Sequence, residues 1–112
     1  MRASSTGALL ALLGLAACAP AYEDGHLSRE INKQRVARDT CLSTEVASID
    51  DHSSPADAIG KQAALACTPQ NDRLIQLMAT MDRSGIEQIT LATRKDAIIK
   101  ATTYALRARG GA

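Results

Sequence analysis

The chain has 112 residues, which allows one small domain. Its net charge of +1 gives no argument for nucleic-acid binding, and aromatic side chains that would stack on bases are limited to two Tyr. Hydrophobic residues make up 46% of the sequence, but many of them are alanines, which contribute less burial energy than large side chains. Such a core is marginal for a short chain, and small domains often add disulfides or partners.

The first seventeen residues have the pattern of an export signal. A short segment with one basic residue, Arg2, precedes an uncharged apolar run at residues 8–17. In a helix that run would span about 15 Å, half of the roughly 30 Å hydrocarbon core of a bilayer, so it is too short to cross a membrane. We therefore interpret residues 1–17 as a signal peptide that is removed from the mature protein.

The apolar run leads into Leu-Ala-Ala-Cys at residues 15–18, which resembles the lipobox of bacterial lipoproteins. The resemblance implies cleavage after Ala17, attachment of lipid chains to Cys18 and a membrane anchor in the bacterial envelope. Two or three acyl chains hold a protein stably on a membrane. In a Gram-negative cell, an Asp after the cysteine would imply retention in the inner membrane. Ala19 instead favours the outer membrane, with the domain facing the periplasm.

The same segment allows a second interpretation, which is ordinary secretion. Ala-Pro-Ala at residues 19–21 fits a signal-peptidase site that would release a soluble periplasmic protein beginning at Tyr22. In the lipoprotein interpretation residues 18–26 form a lipidated tether, in which Pro20 and Gly25 disfavour a helix. Either route takes the protein to a compartment where disulfides form and persist.

Two cysteines remain once Cys18 is assigned to lipid attachment. Cys41 and Cys67 lie on two predicted helices that are joined by a polar turn at residues 50–54. Their distances from the turn differ by about one helical turn, which register and tilt can absorb. We predict an intramolecular Cys41–Cys67 disulfide; free thiols or pairing with another chain are the alternatives.

The first helix is predicted over residues 27–49, with Ser28 as its N-cap. Its apolar residues fall near one face at helical spacing, namely Ile31, Leu42 and Ile49, with Cys41 beside them. Arg38 and Glu45 interrupt that face, and we expect Arg38 to reach across its rim to solvent.

The second and third helices are each predicted from a cap followed by proline. The second begins at Pro55 after an N-cap at Ser54, and the third begins at Pro69 after an N-cap at Thr68. The predicted buried face of the second helix contains Ile59, Ala63, Ala66 and Cys67. The apolar stripe of the third helix contains Leu74, Leu77, Met78 and Met81.

The fourth helix is predicted from Ile86 to about Arg107. Residues 84–87 (Ser-Gly-Ile-Glu) resemble a capping box, and the glycines at 110 and 111 stop the helix. One face carries Ile86, Thr90, Ala97, Ala101 and Tyr104, with Leu91, Ile98 and Ala105 adjacent.

The predicted fold is all-α, a small bundle of three to four helices built on a disulfide-stapled helical hairpin. The helical domain occupies residues 27–109 and leaves residues 110–112 as a tail. A sheet is not predicted, because no strand-like stretch has a second stretch to pair with. The order of a cysteine, a Ser-Pro turn, an Ala-rich helix and a second cysteine loosely resembles small helical proteins that proteobacteria export. That resemblance implies no activity.

Charge is distributed unevenly along the mature chain. Residues 22–51 contain four basic and seven acidic residues, a net charge of −3, whereas residues 94–112 contain five basic and one acidic residue, a net charge of +4. Ion pairing between helices of the bundle explains this distribution. The alternative is that the basic last helix contacts an anionic surface such as lipid headgroups or a partner.

No arrangement of residues predicts catalysis, a cofactor or a metal site. His26 and His52 are the only histidines, and Asp50, Asp51 and His52 are adjacent turn residues that seldom converge on one ion. We therefore expect a protein that is not an enzyme and that acts by binding or structural interaction, with an envelope protein as partner. The alternative is a soluble periplasmic module that binds a small apolar ligand between the helix of Met78 and Met81 and the last helix.

Overall fold

The computed structural model describes residues 25–110. In that range the chain forms helices α1 (Gly25–Ile49), α2 (Ala56–Ala66), α3 (Thr68–Met81), a 3-10 turn (Arg83–Gly85) and α4 (Ile86–Ala108), without strands. The predicted fold is confirmed, since the protein is a small all-α bundle in which a disulfide links α1 to the end of α2. The predicted signal peptide and Cys18 lie outside the described residues.

The helices form three arms, and the second arm consists of α2 and α3 placed end to end. Arg38 bonds to Asn71, and Ile31 lies beside Met78, so α3 runs antiparallel to α1. Arg109 at the end of α4 bonds to Asp50 at the end of α1, and Asp96 earlier in α4 bonds to Arg38 earlier in α1. α4 therefore runs parallel to α1. The described chain is therefore an up-down-up bundle with a break in its middle arm.

Pro69 explains the break between α2 and α3. A proline has no backbone N–H, so it cannot donate to the carbonyl of Leu65 four residues earlier. The hydroxyl of Thr68 donates to that carbonyl instead, at 2.7 Å. Regular bonding continues on both sides, from the N–H of Cys67 to the carbonyl of Ala63 and from the N–H of Asn71 to the carbonyl of Cys67.

The core is built mainly from small residues where α2 and α4 meet α1. Its buried side chains are Leu42, Val46, Ile59, Ala63, Cys67, Ala97, Ala101 and Ala105. At Gly60, α2 and α4 approach so closely that an added Cβ would lie 2.9 Å from the backbone nitrogen of Thr102. The predicted burial of Ile59, Ala63 and Cys67 is confirmed, whereas Ala66 is exposed.

The predicted faces of α3 and α4 are wrong in part. On α3, Leu74 is buried as predicted, but Ile75 and Ala79 complete the core and Met81 is 52% exposed. On α4 the buried row is Thr93, Ala97, Ala101 and Ala105, while Ile86 and Leu91 are exposed. Met81 and Ile86 lie in the last turn of α3 and the first turn of α4, where fewer side chains cover them. Leu91 is two positions from the buried Thr93, which places it on the other side of α4.

The helix ends are close to the predicted positions, but the predicted caps are wrong. α1 begins at Gly25, so Ser28 lies within the helix. The hydroxyl of Ser54 donates to Asp51, and that of Ser84 donates to Asp82, so neither serine caps the next helix. In both turns an aspartate accepts the nearby backbone N–H groups, which competes with capping by serine.

Candidate functional site

A groove lies between α2, the start of α3 and α4, and we call it the α2–α4 groove. It has a volume of about 450 Å³. Its lining consists of Lys61, Ala64, Leu65, Thr68, Asn71, Asp72, Arg94, Ala97 and Ile98. The groove exists because α2 and α4 are in contact at Gly60 and diverge where α3 begins.

Apolar side chains form the floor of the groove. Ala64 and Ala97 are small enough to leave space between the helices, and Ile98 closes one side. Leu65 is 75% exposed, the most exposed large apolar side chain in residues 25–110. Burial of an exposed leucine under a partner would release its hydration water and stabilise the complex.

Charged side chains form the rim. Arg94 lies 3.9 Å from Asp72, and both are largely exposed, so this pair holds the rim only weakly. Lys61 adds a second positive charge on the α2 side. The groove therefore suits an apolar group that is flanked by an anionic group.

Asn71 connects the groove to a buried polar cluster. It is 5% exposed, and its Oδ1 accepts a hydrogen bond from Nη1 of Arg38 at 3.4 Å. Arg38 also donates to Asp39 from Nε at 3.0 Å and to Asp96 from Nη2 at 2.7 Å. Lys100 completes the cluster with a bond to Asp39 at 3.0 Å, so one guanidinium joins α1, α3 and α4.

The expectation that Arg38 reaches solvent across a rim is wrong, because its side chain is 1% exposed. α3 and α4 cover it on either side, and the two aspartates that pair with it supply the charge that allows burial. They are themselves partly exposed, so the cluster is closed on the guanidinium side and open to water on the carboxylate side.

The two cysteines predicted as a pair lie at the break in the middle arm. Cys41 on α1 and Cys67 between α2 and α3 have sulfurs 2.08 Å apart and Cα atoms 6.0 Å apart. Cys67 is fully buried and Cys41 is partly buried. The disulfide therefore fixes the middle of α1 to the point where the second arm changes direction.

In the turn at residues 50–54, both aspartates accept hydrogen bonds. Nε of Arg109 donates to both oxygens of Asp50 at 3.2 Å, and these bonds hold the pKa of that carboxyl below its ordinary value. The hydroxyl of Ser54 donates to Asp51 at 2.6 Å, and this bond and backbone N–H groups lower the pKa of Asp51 as well. His52 is exposed, with a φ of 60°.

Ion pairs within the bundle involve most of the basic residues of the last helix region. Arg109 pairs with Asp50, Lys100 with Asp39, and Arg94 with Asp72. The pairs of Arg109 and Lys100 join the basic last segment to the acidic residues 22–51, as predicted from the uneven charge distribution. Within residues 25–110, His, Cys, Asp and Glu form no group of three that could hold a metal ion.

The space between Met78 and α4, where an apolar ligand was expected, is lined by charged as well as apolar side chains. That hollow has a volume of about 350 Å³, and its lining includes Arg35, Arg38, Asp96 and Lys100. Met81 lies outside it, in a separate hollow against the first turns of α1. The apolar-floored groove lies at the other end of α3, beside α2, and its residues Leu65 and Asn71 were not among those predicted. Leu65 could have been found as the large apolar residue on the outward face of α2.

No protein-family model matches the chain, and comparisons with curated proteins and with solved structures gave no significant match. In the part of the chain that the structure describes, no helix combines the length and hydropathy needed to cross a bilayer.

Proposed function

We propose that the protein is a small exported lipoprotein, anchored to the bacterial envelope through Cys18, that acts by binding a partner rather than by catalysis. The observation that carries the proposal is Leu-Ala-Ala-Cys at residues 15–18, placed directly after the apolar run at residues 8–17. The outer membrane, with the domain facing the periplasm, is the proposed location because Ala19 follows the cysteine.

The Cys41–Cys67 disulfide supports export. A disulfide with a fully buried member persists in an oxidising compartment and is rare in the cytosol of mesophiles. Lipidation of Cys18 would remove the third thiol, which could otherwise exchange with the pair.

The α2–α4 groove is the proposed binding surface. Its exposed Leu65 and its basic rim of Lys61 and Arg94 favour an envelope protein that presents an apolar side chain next to a carboxylate. Such a contact would combine burial of apolar surface with charge complementarity at the rim.

The anchor is tested by palmitate labelling and membrane fractionation of the full chain in a Gram-negative host. We expect label on the protein, loss of label in Cys18→Ala, and sorting to the outer membrane. Ala19→Asp is the matched control, because it should keep the label but move the protein to the inner membrane. Labelling that survives in Cys18→Ala would exclude the proposed anchor.

The binding surface is tested by photo-crosslinking in the intact envelope. A photoreactive amino acid at position 65 should give a discrete crosslinked product, and the same residue at position 36 should not. Val36 is the control because it is 66% exposed on α1, outside the groove. Arg94→Glu should remove the product if the rim recognises an anionic group; equal products from both positions would argue against the groove.

A soluble periplasmic module that binds a small apolar ligand is the second candidate. The apolar floor of the α2–α4 groove favours it, although the groove lies at the α2 end of the last two helices and does not include Met78 or Met81. Mass spectrometry of the mature protein separates the two candidates, because secretion gives an N-terminus at Tyr22 and no lipid.

A further inference from the structure

The two ends of the bundle differ in their exposed side chains. We call one the tether end; it comprises the start of α1, the end of α3 and the start of α4. It exposes three large apolar side chains, with Met81 at 52%, Ile86 at 47% and Leu91 at 71% of their surface. We call these three side chains the apolar corner.

Ile86 and Leu91 line one hollow on α4, and all three side chains lie towards the start of the described chain. Met81 ends α3, and Ile86 begins α4 after one 3-10 turn. Leu91 lies five residues into α4, which is about 7.5 Å along its axis. Met81 also shares a hollow with Ser28 and Ile31 in the first two turns of α1, so this corner sits at the Gly25 end of the bundle.

The opposite end is polar. It is formed by the turn at residues 50–54 and by Arg109, which binds Asp50. Leu106, 45% exposed on α4, is the large apolar side chain exposed nearest to that end among the described residues. The tether end thus exposes three large apolar side chains, whereas Leu106 alone lies near the opposite end in residues 25–110.

The length of the tether decides which end faces the membrane. Six residues separate Cys18 from Gly25, and an extended chain spans at most about 3.5 Å per residue, so Gly25 lies within about 25 Å of a lipid-modified Cys18. α1 then carries the polar turn about 37 Å further along its axis. The apolar corner is the part of the domain that a short tether keeps near the bilayer.

We propose that Met81, Ile86 and Leu91 insert into the interfacial layer of the membrane that holds the lipids of Cys18. This inference rests on the proposed lipid anchor. Asp82, Arg83 and Glu87 are exposed at the same corner, two acidic residues and one basic, so insertion depends on apolar contact and not on attraction to anionic lipid. The tether makes the contact intramolecular, so three partly exposed side chains are sufficient although they would not hold a free domain on a membrane.

The apolar corner contacts the bilayer in this proposal, and the α2 side of the α2–α4 groove stays accessible. Leu65 and Lys61 lie on α2, which begins next to the polar turn and does not reach the tether end. One molecule can therefore hold its domain against the membrane and present the groove to an envelope protein at the same time.

The chain contains no Trp, so one introduced tryptophan reports on one position without background. The experiment uses full-length lipidated protein reconstituted in phosphatidylethanolamine–phosphatidylglycerol vesicles, with brominated acyl chains as quencher. The Ile86→Trp variant should show blue-shifted emission that the brominated lipid quenches. The Leu106→Trp variant, at the polar end, should keep the emission of a water-exposed indole without quenching.

Further arms separate the membrane from other occupants. Adding Met81→Ser and Leu91→Ser to the Ile86→Trp variant should relieve the quenching, and vesicles without phosphatidylglycerol should leave it nearly unchanged. A blue shift without quenching by brominated lipid would show that protein, including a second copy, covers the corner, and would overturn the inference. Equal quenching at both positions would overturn it too.

Flotation of the same vesicles keeps the two proposals distinguishable. If the full chain floats but the Ile86→Trp variant is not quenched, the insertion is wrong while the anchor stands. If the mature chain carries no lipid and does not float, the anchor itself is wrong. Circular dichroism of each variant confirms that the helical fold is retained.

Discussion

In residues 25–110, Arg38 connects three helices through polar contacts. Its guanidinium takes the place of hydrocarbon in the middle of the bundle and bonds to Asn71 on α3 and to Asp96 on α4. Desolvation of the charge opposes folding, and the bonds to Asp39 and Asp96 offset that cost. Because both carboxylates remain partly hydrated, we expect the packed side-chain stem to contribute more to the net stabilisation than the charge does.

The size of the Arg38 side chain is expected to matter more than its charge. Arg38→Ala should lower the free energy of unfolding by about 2–4 kcal/mol, because it opens a cavity between three helices. Arg38→Met fills a similar volume, and its cost should stay within about 1 kcal/mol. Urea unfolding followed by circular dichroism measures both. Arg35→Ala, which removes an exposed side chain one turn earlier, is the control. An equal loss in both Arg38 variants would assign the stabilisation to the charge.

Gly60 is expected to stabilise the fold, although glycine has a low helix propensity. In an open helix, Gly→Ala stabilises by about 1 kcal/mol. Here the added Cβ would lie 3.0 Å from the carbonyl oxygen of Ile98 and still closer to Thr102, so α2 and α4 must separate. Gly60→Ala should therefore destabilise by about 1–3 kcal/mol.

The same urea measurement tests this effect against a variant on the exposed side of α2. Gln62→Ala adds no contact there and should change stability by no more than about 0.5 kcal/mol. An increase in stability in Gly60→Ala would show that the two helices can move apart at little cost.

Among the elements, helix positions were more predictable than helix faces. Prolines at 55 and 69 and the turn after Met81 mark boundaries by local chemistry, which a sequence contains in full. The burial of Arg38 depends on Asp96, 58 positions later, and the groove depends on how α3 leaves α2. The caps were mispredicted because the hydroxyls of Ser54 and Ser84 donate to Asp51 and Asp82 instead of accepting from the first turn of the next helix.

The turn between α1 and α2 is expected to make the free energy of unfolding depend on pH in the acid range. The pKa of Asp50 is lowered by hydrogen bonds from Arg109, and that of Asp51 is lowered by those from Ser54. Because both are lower in the folded than in the unfolded state, where an Asp titrates near 4, their stabilisation is complete above about pH 4 and decreases as the pH falls below it.

Urea midpoints measured from pH 7 down to pH 2 test that dependence. The Asp50→Asn, Asp51→Asn double variant should be less stable than the wild type at pH 7 and should lose less stability in acid. Asp57→Asn, which changes an exposed carboxylate in the first turn of α2, should follow the wild-type profile. A double variant with an unchanged acid profile would place the pH dependence elsewhere.

At the scale of the whole molecule, the small side chains and the disulfide complement each other. Alanines on α2 and α4 allow close contact between helices, but each contributes little burial energy, and Leu42 and Leu74 are the largest apolar side chains that are almost fully covered. The disulfide crosses this region and joins the middle of α1 to the break in the second arm. A bundle with so little large hydrocarbon depends on the cross-link to limit the entropy of its unfolded state.

The Cys41→Ala, Cys67→Ala double variant tests how far the cross-link compensates for the core. The disulfide closes a loop with a sequence separation of 26, for which chain entropy predicts about 3.5 kcal/mol of stabilisation. That value is a large fraction of the 5–15 kcal/mol typical of whole domains. We therefore expect a variant that is helical but marginal, with a urea midpoint far below that of the oxidised wild type. Reduction of the wild type with dithiothreitol should lower its midpoint to a similar value, whereas the variant, which has no bond to reduce, should not respond to the reductant. A variant within about 1 kcal/mol of the oxidised protein would show that the alanine-rich interface alone stabilises the fold.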